Sequence, residues 1–358
     1  MRKFLVGYVF LMLSTALAFA QQNYTVDSTI VIKNDTVQLG ASLYLPIKKT
    51  KVPALVMVSG TGAQDRNGTM AGYPFFKQIA IFLANKGYAI LLMDDRGVGK
   101  STGNYAYATT ADFAIDALAA VEYLRTVSQI NRDKIGLIGH SEGGAASAIA
   151  AAKSTNVKFL ISLAGLASNG FASLIQQNED LVNHFPLSQT DKNRANSINK
   201  LMFETALKYA DSPNMGNELN ETYNNWKKVD DSLFKLSGVA YDHFRFPIYS
   251  YVKQATGKWY RYFIKYDAQQ TMKQIKVPVL AINGDKDLMV NPTINLTNWK
   301  NYIASGGNTE VTTQLFPNVN HLLQQCETCK PDEYAKIKTG VSVSILNTMA
   351  AWLDSVTK

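Results

Sequence analysis

The run Gly139-His140-Ser141-Glu142-Gly143 sets a serine between glycines two residues away on either side. A serine hydroxyl is a weak nucleophile until the backbone holds it clear of its neighbours and a base stands within reach. That spacing arises by chance roughly once in ten chains of this length, so the setting decides. The apolar run Lys134–Ile138 leads in, and the alanine-rich run Ala145–Ala152 leads out. Strand, tight turn and helix are the context in which Gly-x-Ser-x-Gly carries a nucleophile. The glycines remove side chains that would clash in the turn. The helix N-terminus beyond Ser141 offers backbone N–H groups to a developing oxyanion.

Such a serine needs a base, and the base needs an acid to orient it. Of the four histidines, His140 is too close to Ser141 in sequence to serve it. His184 and His243 fall in a long stretch of helical pattern. His321, in Phe316-Pro-Asn-Val-Asn-His321, follows the last strand pattern and precedes the final helix, and is the expected base. The preceding strand pattern runs from Val277 into Asn283-Gly-Asp285-Lys-Asp287, a turn with two aspartates. Asp287 is the expected acid and Asp285 the alternative. The chain order Ser141, Asp287, His321 suits one known arrangement of such a triad.

A second oxyanion donor is expected from the loop Ser59-Gly60-Thr61-Gly62-Ala63-Gln64-Asp65-Arg66, whose glycines allow close backbone approach. The expected donors are the N–H groups of Thr61 and Glu142, with Gly62 as the alternative to Thr61. Asp65 and Arg66 are expected to buttress the loop. Gly97-Val-Gly99-Lys100-Ser101 imitates the end of a phosphate-binding loop, but the full pattern needs glycine where Asp94 stands. A nucleotide site is therefore not expected.

The elements that must position these residues read as follows. Ser28–Lys33 and Val37–Leu45 alternate as a hairpin around Asn34-Asp35. Apolar strand patterns then recur at Ala54–Ser59, Ala89–Met93, Lys134–Ile138, Phe159–Leu163, Val277–Ile282 and Glu310–Phe316. Helical patterns lie near 74–86, 110–127, 142–152 and 292–304, with a last helix ending near Leu353. Nearly uniform apolar strands between helices predict a parallel sheet covered on both faces. The alternation pauses after Gly165. The stretch to Val277 has helical patterns and, from Tyr241 to Tyr266, ten aromatics in 26 residues. That is too apolar for a solvated linker and predicts a helical insertion.

Of the 358 residues 46% are hydrophobic and 18% charged, which allows a large core and argues against wholesale disorder. Residues 1–20 read as a signal peptide: Arg2 and Lys3, an apolar run from Phe4, then Ala18-Phe-Ala20. The run is short for a membrane span, and no later stretch suits one. Removing it takes away two basic residues, so the formal charge falls from +8 to +6, scattered along the chain. Neither a nucleic-acid partner nor a membrane span is expected. Cys326 and Cys329 are the two cysteines, and an exported location favours a local disulfide.

In order along the chain, Ser59-Gly-Thr-Gly-Ala-Gln-Asp-Arg66, Asp95-Arg-Gly-Val-Gly-Lys-Ser101, Gly139-His-Ser-Glu-Gly143, Gly284-Asp-Lys-Asp287 and Asn320-His321 resemble the α/β-hydrolase superfamily. Within it they resemble bacterial carboxylesterases of the EstD type, near the serine aminopeptidases. The resemblance spans roughly residues 36–355. It implies an α/β-hydrolase fold, a mostly parallel central sheet with helices on both faces and a helical cap insertion. The expected division is a core of 21–167 and 273–358 with a cap of 168–272. It implies cofactor-free hydrolysis of short-chain carboxylic esters by Ser141, His321 and Asp287. No metal is expected, and the pattern of residues 1–20 predicts an exported, periplasmic or secreted protein. Peptidase activity in the same fold is the rival. The cap region holds 11 acidic and 12 basic residues between Ser168 and Met272, no acidic excess to anchor a substrate amine. A binding protein on an inactive hydrolase fold is the rival outside enzymes, and it would have lost its nucleophile or base. The sequence leaves the oligomeric state open.

Overall fold

The computed structural model describes residues 22–48, 50–242 and 244–358. Residues 1–20, read as a signal peptide, and His243 lie outside them. The chain opens with β1 (Tyr24–Asn34) and β2 (Val37–Pro46), an antiparallel hairpin turning at Asp35 with φ 50°. β3 (Val52–Val58) follows, then the two-residue strands β4 (Thr69–Met70) and β5 (Tyr73–Pro74) and α1 (Phe75–Lys86). Next come β6 (Ala89–Met93), α2 (Thr110–Thr126), β7 (Ile130–His140), α3 (Glu142–Lys153) and β8 (Leu160–Leu163). Six helices intervene: α4 (Gly170–His184), α5 (Gln189–Lys208), α6 (Met215–Leu236), α7 (Ile248–Ala255), α8 (Lys258–Phe263) and α9 (Ala268–Met272). The chain closes with β9 (Val279–Gly284), α10 (Pro292–Ser305), β10 (Val311–Phe316) and α11 (Val343–Val356).

Eight strands form one sheet in the order β1-β2-β6-β3-β7-β8-β9-β10. Only β1 with β2 and β2 with β6 run antiparallel. The pairs from β6 through β10 are parallel. Uniformly apolar strands are what a two-sided core requires. In β3, Ala54, Val56 and Val58 face the core shared with α2 and α3, while Leu55 and Met57 face the core shared with α1 and α11. β7 begins at Ile130, earlier than its apolar run, because Ile130 pairs with Val52 across a register shift. The alanines of α3 are buried nearly all round, which explains their small size: the helix lies tightly against sheet and neighbours.

Because β3, β7, β9 and β10 run parallel, their carboxyl ends share one edge. Thr61, Ser141, Asp287 and His321 all follow those ends, which is where open α/β sheets carry their sites. Helices α4–α9 leave the sheet after β8 and return before β9. They bury an apolar cluster of their own, with Ile198, Met202, Phe203, Met215, Tyr251 and Tyr260. Arg194 pins α5 to α6 through Asp230 and reaches on to Asp191 and Asp242. The aromatics of 241–266 divide. Phe246, Tyr251 and Tyr260 fill this cluster, Phe263 and Tyr266 pack into the main core, and Tyr249 is 88% exposed. No helix among the described residues is long and apolar enough to cross a membrane.

Candidate active site

Ser141 has φ 56° and ψ −122°, a left-handed conformation that a side-chain-bearing residue adopts only under constraint. The constraint is packing. A Cβ on Gly139 would lie 2.2 Å from the Gly143 carbonyl oxygen, and one on Gly143 would lie 2.3 Å from that of Val58. Only glycines let the turn fold this tightly. The serine N–H is fixed by the Leu163 carbonyl at 3.1 Å.

His321 Nε2 lies 3.1 Å from Ser141 Oγ, and its Nδ1 lies 2.8 Å from Asp287 Oδ2. A carboxylate only accepts, so Nδ1 carries the proton and Nε2 is free to accept from the serine. Asp287 is buried, and its other oxygen accepts from the N–H groups of Met289 and Val290 at 2.8 and 2.9 Å. Asn283 Nδ2 donates to Oδ2 at 3.1 Å. Asp285 does different work: it accepts the Asn318 N–H at 2.7 Å and so ties down the loop that carries His321. Within that loop the buried Asn320 side chain accepts from the N–H groups of Leu322 and Gln324, and Cys326 and Cys329 are joined as a disulfide.

The Gly62 N–H is taken by the Tyr105 hydroxyl at 2.7 Å, whereas the Thr61 N–H has no partner among the described residues. Glu142 is the first residue of α3, where N–H groups have no intrahelical acceptor. These two N–H groups therefore stand available beside Ser141. The loop that holds Thr61 is braced from behind. Asp95 accepts from the Ser59 hydroxyl at 2.5 Å and the Gln64 N–H at 2.8 Å. Burial pushes the Asp95 carboxyl up to about 7 against those two bonds, with Asp116 and Glu142 adding like charge. Arg66 pairs with Asp94, and Asp65 accepts from Thr69. Asp94 also accepts the Lys100 N–H at 3.0 Å and leaves no room for a side chain at Gly99. The carboxylate thus fills the turn that imitates a phosphate loop.

Sequence reasoning missed two groups. His140 is buried, and its Nε2–H donates to the His321 carbonyl at 3.1 Å, so the turn that carries Ser141 holds the loop that carries His321 directly. Burial, then the neighbouring His321, depress His140 to about 3, partly offset by that bond. The imidazole stays neutral. The second group is the Glu142 side chain. Its Oε2 accepts from the Thr61 hydroxyl at 2.7 Å, and its Oε1 accepts from the Thr110 hydroxyl and Trp259 Nε1–H, both at 2.6 Å. One buried carboxylate joins the turn, the Thr61 loop, α2 and α8. The available signal was a lone acidic residue between a strand and an otherwise glycine- and alanine-rich helix.

These groups floor a cavity of about 330 Å³. Leu166, Leu174, Met289 and Val290 line it together with Trp259 and Phe263, whose rings stack at 4.9 Å. Gln64, Gln177 and Gln254 supply amides.

The sequence matches the family described as the alpha/beta hydrolase fold over residues 53–325, most of the chain. The chain belongs to the α/β-hydrolase family. Esterase EstD of Thermotoga maritima is 23% identical over 350 residues, covering 97% of this chain and 73% of that protein. Est1E of Butyrivibrio proteoclasticus, solved with ferulic acid bound, superposes with a TM-score of 0.51 at 18% identity, covering 92% of this chain and 100% of that one. GrgF of Penicillium sp. sh18, an α/β hydrolase, gives 0.53 at 17% identity over 93% and 98%. Likeness at such identity extends to the fold of this α/β hydrolase, and its chemistry must be argued from the site.

Proposed function

We propose that this α/β hydrolase cleaves small carboxylic esters through an acyl-serine intermediate, with Ser141 as nucleophile, His321 as base and Asp287 as orienting acid. The observation that carries the reading is the unbroken chain Asp287–His321–Ser141, at 2.8 and 3.1 Å, on the floor of a cavity. His321 Nε2 takes the hydroxyl proton as Ser141 Oγ attacks the ester carbonyl. Asp287 steadies the imidazolium that results. The N–H groups of Thr61 and Glu142 receive the oxyanion. His321 then protonates the departing alcohol, and water activated by His321 releases the acid. The scheme calls for no cofactor. EstD, which bears the name esterase, lends the reading support by kinship.

The small, largely apolar cavity suits short to medium acyl groups. Alkyl esters from acetate to hexanoate should be cleaved with kcat/KM on the order of 10⁴ M⁻¹s⁻¹ or more. A fluorophosphonate should label Ser141, and Ser141→Ala should lose about a thousandfold or more in activity. Undiminished labelling of that variant would sink the assignment. Export belongs to the same proposal, resting on the pattern of residues 1–20 and consonant with a disulfide. Mass spectrometry of the mature protein should find its N-terminus at Gln21, and an intact N-terminus would refute processing there.

A further inference from the structure

Glu142 is, histidines aside, the one formally charged side chain among the described residues that line the cavity. Its partners define its chemistry. Trp259 Nε1–H can only donate, so Oε1 accepts from it, and the Thr110 and Thr61 hydroxyls complete the hydrogen bonds of the carboxyl. All three donors are neutral. Arg96, on the loop next to Asp95, is bound to Asp116 and Asp112 instead. The favourable partial charge that Glu142 does meet is the N-terminus of α3, of which it is the first residue. A buried anion without a counter-cation, beside a largely apolar cavity, imposes a negative potential on whatever enters, because low-dielectric walls screen it poorly.

We propose, resting on the ester-hydrolase reading, that Glu142, as a carboxylate, sets the charge selectivity of this cavity. Acyl groups that are neutral or cationic are accepted, and those carrying a carboxylate are rejected. The discriminating carboxylate comes from the nucleophile turn of the core. The balanced charges of the cap region gave no hint of it. A charge about 6 Å from Glu142, at an effective dielectric near 20, shifts binding about a hundredfold. The same field acts on every product, since the acid released beside Ser141 is itself an anion.

Three ethyl esters of one shape test this: ethyl 4-methylpentanoate, monoethyl succinate and ethyl 3-(dimethylamino)propanoate, whose acyl ends are neutral, anionic and cationic at pH 7.5. The wild-type protein should cleave the succinate at least about fiftyfold less efficiently than the neutral ester, with the cationic ester at or above the neutral one. Glu142→Gln can keep an oxygen toward Thr110 and Trp259 and lets the Thr61 hydroxyl turn to accept from the amide. In E142Q the succinate handicap should shrink to within about fivefold, whatever the absolute rate. Equal cleavage of the three esters by the wild type, or an unchanged succinate handicap in folded E142Q, overturns the inference and leaves the esterase reading standing. No cleavage of any of them by the wild type sinks both. Should E142Q fail to fold, the wild-type ratios decide alone.

Discussion

The turn that carries Ser141 and the cap meet in one cavity but are built on different terms. The turn is locked by backbone: glycines whose added Cβ would strike carbonyl oxygens, and a serine held at positive φ by packing. The cap is held by side chains. Its helices bury a cluster of their own yet leave Val229, Leu233 and Leu236 exposed along α6, and over the cavity it reaches the core through side chains, Trp259 to Glu142 and Gln177 to the Met289 carbonyl. A structure that forbids alternatives at the backbone positions a reacting atom closely, whereas one that rests on side-chain contacts can change shape and selectivity without disturbing that atom. On the proposed mechanism, damage to the turn or its partners should cost turnover, and damage to the cap should cost choice of substrate.

The sharpest test lies among the buttresses of the turn. In Asp287→Asn the oxygen will be claimed by the Met289 and Val290 N–H groups. The amide then faces His321 Nδ1, which must accept, so Nε2 carries a proton and cannot take one from Ser141. Initial-rate kinetics should show kcat down about a thousandfold or more. A loss under tenfold would remove Asp287 from the mechanism. Gly143→Ala comes next. Its Cβ meets the carbonyls of Val58 and Ser59, which belong to the central sheet and its loop and cannot yield. It should destabilise by about 1–3 kcal/mol and displace Ser141, with activity down about a hundredfold. Full activity would show that the turn is softer than its packing implies.

On the cap side, Trp259→Phe keeps a ring over Phe263 but removes the donor to Glu142. A hydrogen bond to a charged group is worth about 1.5–3 kcal/mol. A loss of about tenfold in kcat/KM is expected, larger for bulky acyl groups than for acetate. Equal losses across acyl sizes would place Trp259 with the turn instead.

His140 gives a smaller effect, read in stability. Its folded pKa is depressed to about 3 while the unfolded ring titrates near ~6.5. The unfolded state therefore takes up a proton that the folded state refuses. The stability from this residue is present above about pH 6.5 and is lost as pH falls toward about 3. Chemical denaturation should show a slope from this group approaching about 1.4 kcal/mol per pH unit inside that window. His140→Asn should remove that slope, and an unchanged slope would show that the ring is not held neutral. The smallest effect belongs to Asp285→Asn, which keeps an acceptor for the Asn318 N–H and should leave kcat within about twofold. A loss comparable to that of Asp287→Asn would reverse the roles of the two aspartates.

What the sequence by itself determined is what depends on near neighbours. Uniform apolar runs such as Val-Pro-Ala-Leu-Val-Met-Val in β3 can be satisfied only by burial on both faces, so the parallel sheet was readable. The glycines around Ser141 announce a turn that tolerates no side chains, and the place of Asp287 and His321 after successive strands puts them at the same edge. The start of β7 was not readable, because Asn131, Arg132 and Asp133 interrupt the apolar pattern while the backbone still pairs with β3. Nor did local pattern say which aspartate meets the imidazole, whether Thr61 or Gly62 keeps a free N–H, or what Glu142 and His140 hold. Those answers rest on contacts such as Tyr105 with Gly62, His140 with His321 and Trp259 with Glu142, separated by 43, 181 and 117 positions. A hydrogen bond is fixed within a few tenths of an ångström by the meeting of two side chains or loops, and nothing in either local sequence encodes where the other will be. Only the assembled sheet, with the cap laid over its edge, decided them.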